Sequence, residues 1–192
     1  RLAFEDYSQP PGRVFVAGAD GASAAPLPND GAVRDRVPVW SPDGTRVLIN
    51  RGASDCGSVQ LVSVAPDGSD PVVIQSRTRG TTTSWAPCHG ILTEREYPEG
   101  CNAMRMEVDL LTAGGTEVTR LTTTASSYCC GWDGHPGWSP DCRHLVFASA
   151  RDSTVSNRSN FSNLYTMLPA DADADGNGDD LLQLTAVNDK AD

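Results

Sequence analysis

Residues 38–44 read PVWSPDG, residues 83–89 read TSWAPCH and residues 136–142 read PGWSPDC. The three stretches align on Trp40, Trp85 and Trp138, spaced 45 residues (40 to 85) and 53 residues (85 to 138), about the length of one four-stranded unit in a radially repeated sheet. A unit of this kind cannot bury its apolar faces alone. It has to stack on its neighbours, and the repeat therefore predicts one stacked all-β array.

Each tryptophan stretch is followed by an apolar run, RVLIN at 46–50, GILTE at 90–94 and HLVFA at 144–148. A second run follows after a polar loop, VQLVSV at 59–64, MEVDLL at 106–111 and LYTML at 164–168. Several of these alternate apolar and polar residues, the period of a strand. Tight-turn sequences come next, Pro66-Asp67-Gly68 and Ala113-Gly114-Gly115, and then short segments ending at Ile74, Leu121 and Leu184. Asp-Gly between two apolar runs marks a hairpin because glycine supplies the positive φ of the turn. The opening of the chain fits the same frame from its second strand onward: Leu2–Phe4, Val14–Val16, the hairpin Asp20-Gly21, then Ala25–Leu27. Four blades result, at about 1–34, 35–79, 80–132 and 133–192, in a single segment spanning 1–192. No long helical pattern occurs.

These residues resemble the TolB-type β-propeller repeat, whose blades read roughly P-x-W-S-P-D-G, strand, strand ending near D-G, then L-T. Residues 40–44 match it fully, and Trp138 to Asp141 nearly so. The third copy departs, with Ala86 for Ser and Cys88-His89 for Asp-Gly. The resemblance implies a β-propeller, often in an extracytoplasmic setting and often a platform for binding other proteins. It implies no single reaction.

Before Trp40 and Trp138 the linkers have the form D-x-x-P-x-W, with Asp35 and Asp133 in first place. Asp35 lies eight residues after Leu27, and Asp192 eight residues after Leu184. This register predicts that blade one lacks its innermost strand, leaving an open edge. Further blades of a longer propeller, a strand from another chain in an oligomer or filament, and a four-blade ring that tolerates the gap are the alternatives. The absence of an initiator Met at Arg1 is expected of a trimmed or excised chain.

The charge of −10 is local: residues 171–192 hold seven Asp and Lys190, or −6, leaving −4 for the other 170 residues. Such a chain repels nucleic acid and anionic lipid. No apolar run is long enough for a membrane span. Cys56, Cys88, Cys101, Cys129, Cys130 and Cys142 form no CxxC pair, and most adjoin Gly, Pro or Asp, the pattern of disulfides in an oxidising compartment, with free buried thiols as the alternative.

Residues 171–180 read DADADGNGDD and fall where other blades have a short turn between their third and fourth strands. Alternating Asp171, Asp173 and Asp175 followed by Gly176 follow the logic of a Ca²⁺ loop, with the Asn177 carbonyl and Asp179 or Asp180 completing an oxygen shell. The pattern departs from an EF-hand at position 12, where Leu182 stands. A structural Ca²⁺ that orders the hairpin is the expectation; a solvated acidic loop is the alternative.

No catalytic motif is present: no G-x-S-x-G, H-E-x-x-H or phosphate loop. Cys130, His135, Cys142 and His144 offer zinc-type ligands on paper, but a propeller places the Cys142 turn on the face opposite Cys130 and His135. The same sorting allows Cys88 with Cys142, and Cys101 with Cys129 or Cys130. Asp133 is expected to cap its linker and Trp132 to pack on a neighbour. The functional expectation is a non-enzymatic extracytoplasmic module for protein binding or assembly. The propeller of a hydrolase resembling the prolyl oligopeptidase family, or a subunit of an extracellular polymer, are the alternatives.

Overall fold

Runs of Val, Leu and Ile bounded by glycine turns build strands throughout a computed structural model that describes residues 1–8, 12–29, 31, 33–52, 59–87, 89–97, 105–116, 118–123, 131–151, 163–170, 172 and 177–185. Among them there is no helix. Blade one holds β1 (Leu2–Asp6), β2 (Arg13–Ala17) and β3 (Ala25–Pro26), a three-stranded sheet in that order. Blade two holds β4 (Arg34–Trp40), β5 (Val47–Gly52), β6 (Val59–Val64) and the first part of β7 (Val72–Ala86). The end of β7, β8 (Gly90–Tyr97), β9 (Arg105–Leu111) and β10 (Val118–Arg120) make blade three; β11 (Gly131–Trp138), β12 (Leu145–Ser149), β13 (Asn163–Met167) and β14 (Leu182–Gln183) make blade four.

The ladders repeat in register. Val47 pairs with Val64 in blade two, Ile91 with Leu111 in blade three and Leu145 with Met167 in blade four, all antiparallel. The hairpins fall as the sequence predicts, with Gly21, Gly68 and Gly115 at φ 79°, 80° and 69°. Beyond β1 no further strand pairs among the described residues, as the register requires.

One element differs from its sequence reading. The outer strand of blade two and the inner strand of blade three are one continuous strand, β7, 15 residues long. Its Val72–Thr78 part pairs with β6 and its Thr83–Ala86 part with β8, the ladder breaking between them. Pro38 and Pro136 interrupt the two other linkers, whereas the linker of blade three has Thr81, Thr82 and Thr83 and no proline. β-branched residues keep the chain extended where proline would remove a donor.

Because side chains alternate across a strand, each blade has one face toward the preceding blade and one toward the next. Three apolar clusters lie between the blades. Val14 and Leu27 of blade one meet Val47, Ile49, Val62 and Val64 of blade two, with Trp40 against them. Leu48, Leu61 and Ile74 of blade two meet Ile91 and Leu111 of blade three, with Trp85 alongside. Leu92, Val108 and Leu121 of blade three meet Leu145, Phe147, Tyr165 and Met167 of blade four, with Trp138 alongside. The tryptophans that define the repeat thus each seal the interface with the preceding blade. Their strands β4, β7 and β11 are neighbours along the inner row.

Candidate functional site

The D-x-x-P-x-W linkers concentrate the buried charge. Asp35 is buried, and Arg51, at the end of the neighbouring strand, donates to its two carboxylate oxygens from Nε at 2.7 Å and Nη2 at 2.9 Å; Asn29 Nδ2 adds a third donor at 3.2 Å. Asp133 stands in the same place in blade four, and Arg151 Nη2 donates to it at 3.0 Å. The Arg151 guanidinium also lies over Phe147 and Tyr165, 5.2 and 5.0 Å from the ring centroids. A buried carboxylate is tolerable only when paired, and these two are paired by arginines of their own blades. Asp133 caps its linker, as expected. Trp132 meets His135 edge-on at 5.0 Å between ring centroids.

Two residues further on, Val37 and His135 have positive φ, 51° and 52°, each just before proline. This conformation turns the backbone N–H toward the preceding blade. There the Val37 amide donates to Glu5 Oε1 and the His135 amide to Glu94 Oε1. Glu5 and Glu94 hold equivalent places in β1 and β8, so blades one and two, and blades three and four, are clamped by one device. Blade three buries two more carboxylates: Glu107 accepts from Arg120 Nη2 and Thr122 Oγ1, both at 2.9 Å, and Asp109 lies 3.6 Å from Arg95 Nη1.

At the opposite end of the inner strands the Ser-Pro-Asp turns are closed by side chains. Ser41 Oγ and Thr45 Oγ1 donate to Asp43 Oδ1 at 2.6 and 2.8 Å, the Thr45 amide at 3.0 Å. In blade four Ser139 Oγ donates to Asp141 Oδ1 at 2.6 Å and the Arg143 amide at 3.1 Å. The serine hydroxyl, before the backbone amide, lowers the Asp43 pKa to about 2 and shifts Asp141 in the same direction. The third copy of the motif departs as its sequence does. His89 stands where Gly44 stands in blade two and stacks on Trp138 of the next blade, 5.3 Å between ring centroids.

Of the predicted calcium ligands, Asp171, Asp173 and Asp175 lie outside the described residues. The closing end of the loop is fastened to the scaffold. Asn177 Oδ1 accepts from Thr123 N at 3.4 Å and from Arg151 Nη1 at 3.3 Å, Gly178 N donates to Leu121 O at 2.8 Å, and Asp179 Oδ1 accepts from Ala172 N at 2.9 Å. Asp180 is exposed, at φ 55°. Among the described residues no three His, Cys, Asp or Glu side chains converge as metal ligands. His135 lies in β11, before Trp138, whereas Cys142 and His144 lie in and after the turn that follows it, separating the zinc-type ligands as the propeller geometry predicts. Cys142 is disulfide-bonded; Cys56, Cys88, Cys101, Cys129 and Cys130 lie outside the described residues.

Sequence reasoning missed Glu5, Glu94, Arg51 and Arg151. The signal was there in part: Glu5 and Glu94 each lie three residues after an apolar residue that opens a second strand, Leu2 or Ile91. An arginine at the end of the second strand carries no such mark until the linker aspartate is known to be buried.

Solved structures share this arrangement. TolB from Acinetobacter baumannii superposes with a TM-score of 0.64 at 16% identity, over 91% of this chain and 38% of that one. The chain is an arc of a β-propeller. A prolyl endopeptidase gives 0.61 at 14% identity, over 92% of this chain and 26% of the other, and a chain of a nidogen/laminin complex 0.59 at 12%, over 91% and 57%. The arc therefore spans well under half the length of the first two proteins. No family model matches the sequence, and no curated protein matches it. No helix among the described residues is long and apolar enough to cross a membrane.

Proposed function

We propose that this arc is a non-enzymatic β-propeller module that presents a rigid surface for protein binding or assembly outside the cytoplasm, with a structural Ca²⁺ in the loop at 171–180. The observation that carries the reading is the use made of its polar groups: Glu5, Asp35, Glu94, Glu107 and Asp133 each hold a linker or a neighbouring strand in place. Fastening of this kind gives rigidity, which lowers the cost of presenting a binding surface. The disulfide at Cys142 supports an oxidising compartment. The nidogen/laminin likeness is to a protein seen in a protein complex. The test is to offer the purified chain a panel of chromogenic esters and prolyl peptides. No turnover above buffer is expected, and turnover lost on substitution of Asp133 or Glu94 would overturn the reading.

A second reading is favoured by the likeness to prolyl endopeptidase and to dipeptidyl peptidase 4 from Porphyromonas gingivalis, 12% identical at a TM-score of 0.56. On it the arc belongs to the propeller of a peptidase. An α/β segment bearing G-x-S-x-G encoded in the same gene would decide for it.

A further inference from the structure

We propose that the two ends of the arc are the halves of one interface: the outer face of blade four binds the outer face of blade one in a second copy of this chain. Equivalent residues carry the inference. Leu27, Leu121 and Leu184 each follow a fourth strand and donate their backbone N–H to the third strand, at Val14, Val108 and Leu164. The positions that face the next blade are Val14 and Leu27 in blade one, Leu48, Leu61 and Ile74 in blade two, and Leu92, Val108 and Leu121 in blade three, all of them buried. Blade four repeats the set as Val146, Leu164 and Leu184, and these are 37%, 44% and 51% exposed.

Blade one shows the complementary half. The residues that face the preceding blade are Val47 and Ile49 in blade two and Leu145 and Phe147 in blade four, all fully buried. In blade one the same places are Leu2 and Phe4, 47% and 41% exposed, with Phe15 stacked on Phe4 at 5.7 Å. The sequence thus builds both terminal faces as interblade faces. Blades one and four make no substantial contact with each other among the described residues, so the arc does not cover its own ends. Apolar side chains at equivalent positions pack three times within the chain, and a second copy brings the missing half of a fourth such interface. The contact is head-to-tail, which closes into a ring if the rotation allows and otherwise propagates.

The inference names the partner for the assembly reading above, and it fails separately: a monomeric chain with no turnover would refute the inference and leave the module reading standing. The experiment is multi-angle light scattering of the 192-residue chain and two variants. One carries Val146→Asp with Leu164→Asp, the other Leu2→Asp with Phe4→Asp. The unmodified chain is expected to associate as concentration rises, each variant to remain monomeric, and their equal mixture to give a one-to-one heterodimer through the intact halves. A wild-type monomer throughout, a variant that self-associates like wild type, or a mixture that stays monomeric would overturn the proposal. Near-UV circular dichroism checks folding, and should a double variant fail that check, Leu184→Arg and Phe4→Arg carry the same mixing test.

Discussion

Cys142 takes in blade four the left-handed conformation that Gly44 takes in blade two: φ is 60° at the cysteine and 68° at the glycine, and each donates its amide to the turn serine at 2.9 Å. A side chain in this conformation costs on the order of 1 kcal/mol. The disulfide offsets that cost. Under a thiol reductant, Cys142→Gly is therefore expected to be more stable than wild type by roughly 1 kcal/mol, and without reductant less stable. Urea melts of both proteins with and without reductant check this; the same order under both conditions would contradict it.

The paired linker aspartates predict a large penalty for removing one partner. Arg151→Ala leaves Asp133 as a buried carboxylate without its guanidinium, at a cost of about 3 kcal/mol. Arg51→Ala should act alike on Asp35. Replacing both members, as in Asp133→Asn with Arg151→Met, is expected to recover part of the loss. Denaturant midpoints report the difference, and singles within about 0.5 kcal/mol of wild type would show that the pairs do not hold the linkers.

Asp43, lowered to about 2, and Asp141, lowered from its usual value, set a pH dependence. A carboxylate with a depressed folded pKa stabilises the fold above its unfolded value, near 3.8, and that contribution is lost as pH falls through the folded value. These two turns therefore contribute fully at neutral pH and weaken between about pH 4 and pH 2. Carboxyl carbon NMR titration should place the Asp43 midpoint near 2 and that of Asp141 below the ordinary range. Midpoints at the ordinary value in both would contradict the hydrogen-bonded turn.

Calcium at the loop of 171–180 should raise the melting temperature in an EDTA-sensitive manner at millimolar Ca²⁺, the range of extracellular modules at roughly 10⁻⁴ to 10⁻³ M. Asp173→Ala with Asp175→Ala should abolish both the shift and the calorimetric heat. Equal melting of this variant and wild type with Ca²⁺ present would leave a solvated acidic loop.

The strands and hairpins were legible because their signals are local. Trp40, Trp85 and Trp138 set the period, and glycines at 21, 68 and 115 mark turns that need positive φ. The clamps were not legible, since each joins residues far apart in sequence: Glu5 meets Val37 and Glu94 meets His135. Val37 is the sharpest case. A β-branched residue before proline is expected to be extended, and only the glutamate of the preceding blade accounts for its turned amide. The continuous β7 escaped notice for the opposite reason. Its outer and inner parts each matched a short strand, and the absence of proline between them is a weak mark.

The central claim is the register that sends alternate side chains to opposite neighbours, because a slip of one residue would exchange every face. Methyl-methyl nuclear Overhauser effects in Ile, Leu, Val-labelled protein test it directly. Val47 and Ile49 should show contacts to Val14 and Leu27, while Leu48 and Leu61 show contacts to Ile91 and Leu111. Contacts from Leu48 and Leu61 to Val14 and Leu27 instead would contradict the arc described above.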